Sequence, residues 1–197
     1  MAQIFPPRST TIARSILAGI VAAVLVAAVG GYVVTRSDWY WRVGKAEPQP
    51  VPFSHLLHAG DLGLDCRYCH TTVERSALAG IPPAQTCLGC HDGLPVGGAA
   101  LGPLRTAFDT GEPFLWNRVH RVPDHALFHH GIHVSSGVGC ATCHGPVEEM
   151  PRIAKAGTLS MSWCLDCHRE VEPVGPPVTD GDGGLLHPLT DCSRCHR

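Results

Sequence analysis

The chain has 197 residues, of which 44% are hydrophobic, 6% aromatic and 16% charged, with a formal net charge of −2. So small a charge excludes a strongly basic nucleic-acid binder, and no nucleic-acid partner is expected. With 22 Gly, 17 Pro and few aromatics, the chain is poor in the residues that build a conventional core.

Residues 1–14 carry Arg8 and Arg14 and no acidic residue. Ile16 to Val34 then runs without a charge, rich in Val, Ala, Leu and Ile. At about 1.5 Å per residue it is long enough to cross a hydrocarbon core of about 30 Å. The sequence predicts a transmembrane helix over 15–35, a single pass. By the positive-inside rule residues 1–14 are cytoplasmic and everything after the helix lies on the periplasmic side of a bacterial inner membrane. A cleaved signal peptide is the alternative, with Ala27-Ala28-Val29-Gly30 as small residues for cleavage. The apolar run exceeds the usual stretch of about 7–15 residues, which favours a retained anchor. In the segment 36–52, Trp39, Tyr40 and Trp41 suit a membrane–water interface, and Lys45 to Pro52 reads as a stiff Pro-rich spacer.

All ten cysteines fall in five copies of C-x-x-C-H: Cys66, Cys69 and His70; Cys87, Cys90 and His91; Cys140, Cys143 and His144; Cys164, Cys167 and His168; Cys192, Cys195 and His196. The pattern is that of c-type haem attachment, in which the thiols form thioethers with the porphyrin vinyls and the adjacent imidazole is the proximal iron ligand. Zinc ribbons use similar cysteine spacings, but they need no histidine after the second cysteine. With 13 His in the chain, a given position is His by chance about once in fifteen, and here it follows all five motifs. Five covalently bound haem c groups are expected. The roughly 150 residues after the anchor leave about 30 per haem, too few for separate cores. The expected fold is therefore mainly α and irregular, a multihaem cytochrome c wrapped around its cofactors, with one N-terminal transmembrane helix.

An internal repeat organises the motifs. Phe53-Ser54-His55-Leu56-Leu57-His58 precedes the first, and Phe128-His129-His130-Gly131-Ile132-His133 precedes the third. Each has the form F-x-H-x-x-H and leads into two haem sites, giving two-haem modules over 53–92 and 123–170. Between them 93–122 is a connector, and 171–197 is a second connector ending in the fifth site. Histidines at i and i+3 share one face of a helical turn, so each pair serves two irons. Four distal ligands are expected from the repeat: His55, His58, His130 and His133. For the fifth, His120 is preferred over His187, which stands only five residues before Cys192. His125 and His129 are read as loop or propionate-contacting residues. Only Met1, Met150 and Met161 are available for His/Met ligation, so most irons are expected to be bis-His and low-spin.

The segments PFSHLLHAGDLGLDCRYCH, TTVERSALAGIPPAQTCLGCH, WNRVHRVPDH, FHHGIHVSSGVGCATCHG, LSMSWCLDCHRE and the terminal CSRCHR resemble the pentahaem cytochrome c subunit of alternative complex III, with haem modules similar to class III multihaem cytochromes. The resemblance covers nearly the whole chain after about residue 50. It implies an electron-transfer subunit of a quinol-oxidising respiratory or photosynthetic membrane complex that feeds a periplasmic carrier or an oxidase. The partners it implies are an iron–sulfur protein, polytopic quinol-site subunits and a monohaem cytochrome. It also places His55, His58, His120, His130 and His133 on the family's distal-ligand positions, with His125 and His129 as departures. No catalytic residue is expected in this chain. The alternatives are a stand-alone membrane-anchored quinol dehydrogenase cytochrome feeding a periplasmic reductase, and a multihaem reductase.

Overall fold

A computed structural model describes residue 6 and residues 8–93, 98–171 and 189–196. The chain divides into two units, residues 1–42 and 43–197. In the first unit α1 (Ser9–Thr35) is a helix of 27 residues, long and apolar enough to cross a membrane, with none of its side chains buried. It starts about two turns before the uncharged run, because Ser9 to Ser15 adds a more polar first segment. Its end is marked by side chains that turn back on the backbone. Thr35 Oγ1 donates to the Gly31 carbonyl at 2.8 Å, and the Trp41 indole N–H donates to the Thr35 carbonyl at 2.8 Å. Ser37 then caps the short α2 (Asp38–Trp41) by accepting from the Tyr40 amide.

The second unit is built of short helices and irregular chain. No strand occurs among the described residues, only the isolated bridges Val43–Lys155 and Ala126–His196. Every C-x-x-C-H motif sits on a helical turn: α3 (Cys66–Cys69), α4 (Ala84–His91), α7 (Cys140–His144), α8 (Met161–Glu170) and α9 (Cys192–Cys195). Two of these turns are too short to be stable alone and are started by a capping carboxylate. Asp65 accepts from the Arg67 amide and Asp191 from the Ser193 amide, each at 2.8 Å.

Six apolar side chains are buried among the described residues: Val51, Val73, Ala84, Leu88, Leu101 and Leu104. Four of them, Val51, Ala84, Leu101 and Leu104, form one cluster under α4 and α5 (Gly102–Thr110), with Phe114 and Trp116 packed against it. That cluster covers the back of the second motif. Among the described residues the other motifs have no comparable apolar backing, and Leu57, Leu62, Tyr68, Leu78, Ile81, Ile132 and Met161 are exposed.

The two F-x-H-x-x-H segments dock reciprocally. His55 leads into a π-helical turn (Leu56–Asp61), and His130 opens α6 (His130–Ser135). The Leu56 amide donates to the Met150 carbonyl at 3.0 Å, and the Gly131 amide donates to the Ser76 carbonyl at 3.1 Å. In each case the residue after the first histidine of the pair reaches the residue six beyond the other module's proximal histidine. Glycine is required on both sides. A Cβ on Gly60 would strike the Glu148 carbonyl oxygen, and one on Gly131 would lie 2.8 Å from the Glu74 carbonyl oxygen.

Candidate functional site

The two cysteines of each motif lie three residues apart on one helical turn and so project to the same side. All ten are free thiols, each exposed or half-buried. Neighbouring motifs bring their thiols together in pairs. Burial pushes the Cys66 thiol pKa up, and the adjacent Cys140 thiol, within hydrogen-bond reach, adds to the rise. Burial also raises Cys69 and Cys87, with Cys90 the neighbour of the first and Cys69 of the second. Cys143 and Cys164 are raised in the same way, beside Cys167 and Cys195 respectively.

The imidazoles are held by their backs. A ring that donates from Nδ1 to a carbonyl must carry its proton there, leaving the Nε2 lone pair for a metal. Six rings make this bond: His58 to Ser54 at 2.8 Å, His70 to Gly80 at 2.6 Å, His130 to Ala77 at 2.7 Å, His133 to His129 at 2.9 Å, His168 to Leu189 at 3.0 Å and His196 to His125 at 3.1 Å. His58 and His133, the second members of the repeat, use the same i−4 carbonyl. Their phenylalanines match as well. Phe53 stands edge-on to His55 (4.8 Å) and stacks on His58 (4.4 Å), while Phe128 stands edge-on to His130 (4.7 Å) and stacks on His133 (4.6 Å). The repeat therefore fixes ring orientation as well as ring position.

Two metal–nitrogen bonds of about 2 Å, plus a ring radius of about 1 Å at each end, separate trans imidazole centroids by about 6 Å. His58 and His91 are 6.0 Å apart, His133 and His168 6.0 Å, and His130 and His144 6.3 Å. Each of these pairs joins a repeat histidine to a motif histidine. His55 lies beside His70 and His58, and burial first, then the charges of those two rings, lowers its pKa to about 4. Burial and the neighbouring His130 and His70 lower His144 as well. Both are held neutral at pH 7, the form that binds metal.

The remaining histidines fall into different roles. His120 packs edge-to-face on His144 at 4.4 Å, too close for an iron between those two rings. Its Nε2 is buried without a partner, and burial together with His144 lowers its pKa to about 4. The ring beside His196 is that of His125, 5.6 Å away. However, the His125 carbonyl reaches His196 Nδ1, on the side of that ring remote from Nε2. His125 therefore holds the proximal ring through its backbone carbonyl, while its own ring stacks beside it. His129 has a similar supporting part. Its Nδ1 accepts from the Ile132 amide to cap α6, and its carbonyl holds His133. Neither support was legible in the sequence, since both act partly or wholly through backbone carbonyls. His187 lies outside the described residues.

These residues fit haem c. The thiols project in i, i+3 pairs next to a half-buried imidazole, repeat and motif imidazoles stand with centroids 6.0–6.3 Å apart, and large apolar side chains close in sequence to the motifs are exposed, as a covering porphyrin would require. A zinc ribbon needs four ligands in one cluster. Among the described residues, which include all ten cysteines, no three His, Cys, Asp or Glu side chains gather to hold an ion.

The site thus defines a protein of covalently attached haem. Residues 126–197 match the family model described as cytochrome c7 and related cytochrome c. Over 159 residues the chain is 28% identical to the menaquinone reductase, multiheme cytochrome c subunit, of Nitratidesulfovibrio vulgaris, an alignment covering 75% of this chain and 67% of that protein. The chain is a multihaem cytochrome c, mostly helical and irregular, with one apolar N-terminal helix.

Proposed function

We propose that this chain is the pentahaem electron-conducting subunit of a quinol-oxidising membrane complex of the alternative complex III kind. Haem c, when bound, supplies one-electron redox chemistry at iron. The chain's own part is to hold five such groups through its ten cysteines, with His70, His91, His144, His168 and His196 as proximal ligands. His55, His58, His120, His130 and His133 form the proposed distal set.

One observation carries the reading. The second histidines of the repeat stand opposite His91 and His168 at 6.0 Å, with their Nδ1 atoms tied back to the i−4 carbonyl. Irons held between such imidazole pairs would have no position left for substrate, which favours conduction over catalysis. For the fifth distal ligand, the buried, unpartnered Nε2 of His120 supports the sequence expectation. Its rival is His187.

The apolar helix supports a single-pass anchor in the bacterial inner membrane, with Arg8 and Arg14 favouring a cytoplasmic N-terminus and a periplasmic haem domain. One helix cannot enclose a quinone, so quinol oxidation belongs to partner subunits. The likeness to a menaquinone reductase subunit supports a quinone-linked complex as the setting. In that complex the proposed neighbours are an iron–sulfur protein, polytopic subunits and a monohaem cytochrome, with a periplasmic carrier or oxidase downstream.

Gentle solubilisation of the native membrane, followed by mass analysis, tests this. The chain is expected to carry five haems and to comigrate with polytopic and iron–sulfur subunits. Migration alone, with quinol oxidation by the isolated chain, would instead establish a stand-alone dehydrogenase.

A further inference from the structure

We propose that the five haem sites are wired in the order second, first, third, fourth, fifth, so that the second and fifth are the terminals facing redox partners. The inference rests on the pentahaem reading and adds a connectivity that the chain order does not suggest.

The joint between modules lies at the first and third motifs. Cys66 and Cys140 touch, and the reciprocal bonds Leu56 to Met150 and Gly131 to Ser76 lock the segments that follow those two motifs. The second motif attaches to the first through the latter's other cysteine, Cys69. Cys87 and Cys90 have Cys69 as their thiol neighbour, and His91 faces His58 of the first module's own pair. The outer face of the second motif is backed by the apolar cluster of α4 and α5, with Arg105 donating to the His91 carbonyl at 3.2 Å. Protein, not another motif, closes that flank.

The second module continues the line. Cys143 neighbours Cys167, and His168 faces His133. Cys164 then neighbours Cys195, and His168 Nδ1 donates to the carbonyl of Leu189, three residues before Cys192. The fifth motif therefore adjoins the fourth and is itself flanked by the Ala126–His196 bridge.

Electron transfer falls steeply with separation, so adjacency sets the path. In chain order, loss of the first haem would shorten the wire at its end. In the proposed order it cuts the wire, stranding the second haem. The end position falls to the second haem instead, whose partner surface is the exposed side around Cys90. At the other terminal, Cys192 is exposed in the same way.

The test uses the full haem-loaded chain in its native membrane. Cys66→Ala with Cys69→Ala removes the first haem, and Cys87→Ala with Cys90→Ala removes the second. Spin coupling between haems is read by electron paramagnetic resonance, and haem count by mass. Loss of the first haem is expected to give one magnetically isolated haem and three coupled ones, whereas loss of the second leaves four coupled. The reverse pattern overturns the order. Where a variant does not accumulate, iron positions in a cryo-electron microscopy map of the unaltered complex decide: a first iron closest to the third supports the order, and a second iron closer to the third overturns it. Fewer than five haems in the unaltered chain would overturn the pentahaem reading as well, whereas five haems in another order overturn the connectivity alone.

Discussion

Gly131 is the most exacting position in the reciprocal interface. An added Cβ would lie 2.8 Å from the Glu74 carbonyl oxygen, 3.0 Å from its carbon and 3.1 Å from His129 Cε1. Two of these three atoms are backbone, so they cannot swing aside. Gly131→Ala must therefore push α6 off the 74–76 segment, an overpacking cost of about 1–3 kcal/mol. The 3.1 Å bond from the Gly131 amide to Ser76 weakens with it, worth about 1 kcal/mol. Alanine's better helix propensity returns about 1 kcal/mol. The net loss is about 1–3 kcal/mol, or roughly 2–12 °C in Tm for a chain of this size. Gly60→Ala, which strikes the matching Glu148 carbonyl, should cost a similar amount. Gly102→Ala is the control, since nothing lies within 4 Å of its added Cβ. Thermal unfolding of the haem-loaded chain, followed by circular dichroism and Soret absorbance, measures all three. If Gly131→Ala unfolds within about 0.5 kcal/mol of Gly102→Ala, the modules do not meet as described.

Four further outcomes are expected. His58→Ala and His133→Ala should each convert one haem to high spin by electron paramagnetic resonance, while a chain with every haem still low-spin would refute the pairing with His91 and His168. His120→Ala should likewise give one high-spin haem, and its absence would transfer the fifth distal role to His187. Phe128→Leu removes the ring stacked on His133, with an expected loss of about 1 kcal/mol and a changed low-spin signal from one haem; an unaltered spectrum would mean that Phe128 does not set the imidazole plane. Finally, N-terminal sequencing of the membrane-bound chain should find α1 retained, and a start near Val29 would turn the anchor into a signal sequence.

The chemistry of the attachment sites was legible because it is local: cysteines at i and i+3 followed by histidine need only one helical turn, and α3, α4, α7, α8 and α9 supply it. The F-x-H-x-x-H repeat was legible for the same reason. Its two copies differ in detail, since the first runs into a π-helical turn and the second is α-helical, a distinction no spacing rule contains. The capping role of Asp65 and Asp191, each immediately before a motif, was open to a propensity argument that looked at the residue preceding the first cysteine. What could not be read was the spatial order of the motifs. Met150 and Ser76 carry no unusual side chain for the purpose, because the contacts that join the modules run through their carbonyl oxygens. The parts played by His125 and His129 were hidden likewise, as was the placement of His120 against His144.

The reciprocal docking of the modules has the form of an isologous interface, in which surface i meets j and j meets i. Normally such an arrangement belongs to two identical subunits related by a two-fold axis. Here both partners are carried on one chain, so the association cannot be diluted apart and the two halves are always present in equal number. Covalent linkage also releases them from the requirement to stay identical. Only the C-terminal half leads on to a fifth motif, and among the described residues the buried apolar cluster backs the second motif, in the N-terminal half. A symmetric pair would offer the same face at either end, whereas these two halves present different ones, and a carrier of electrons can then tell its source from its destination.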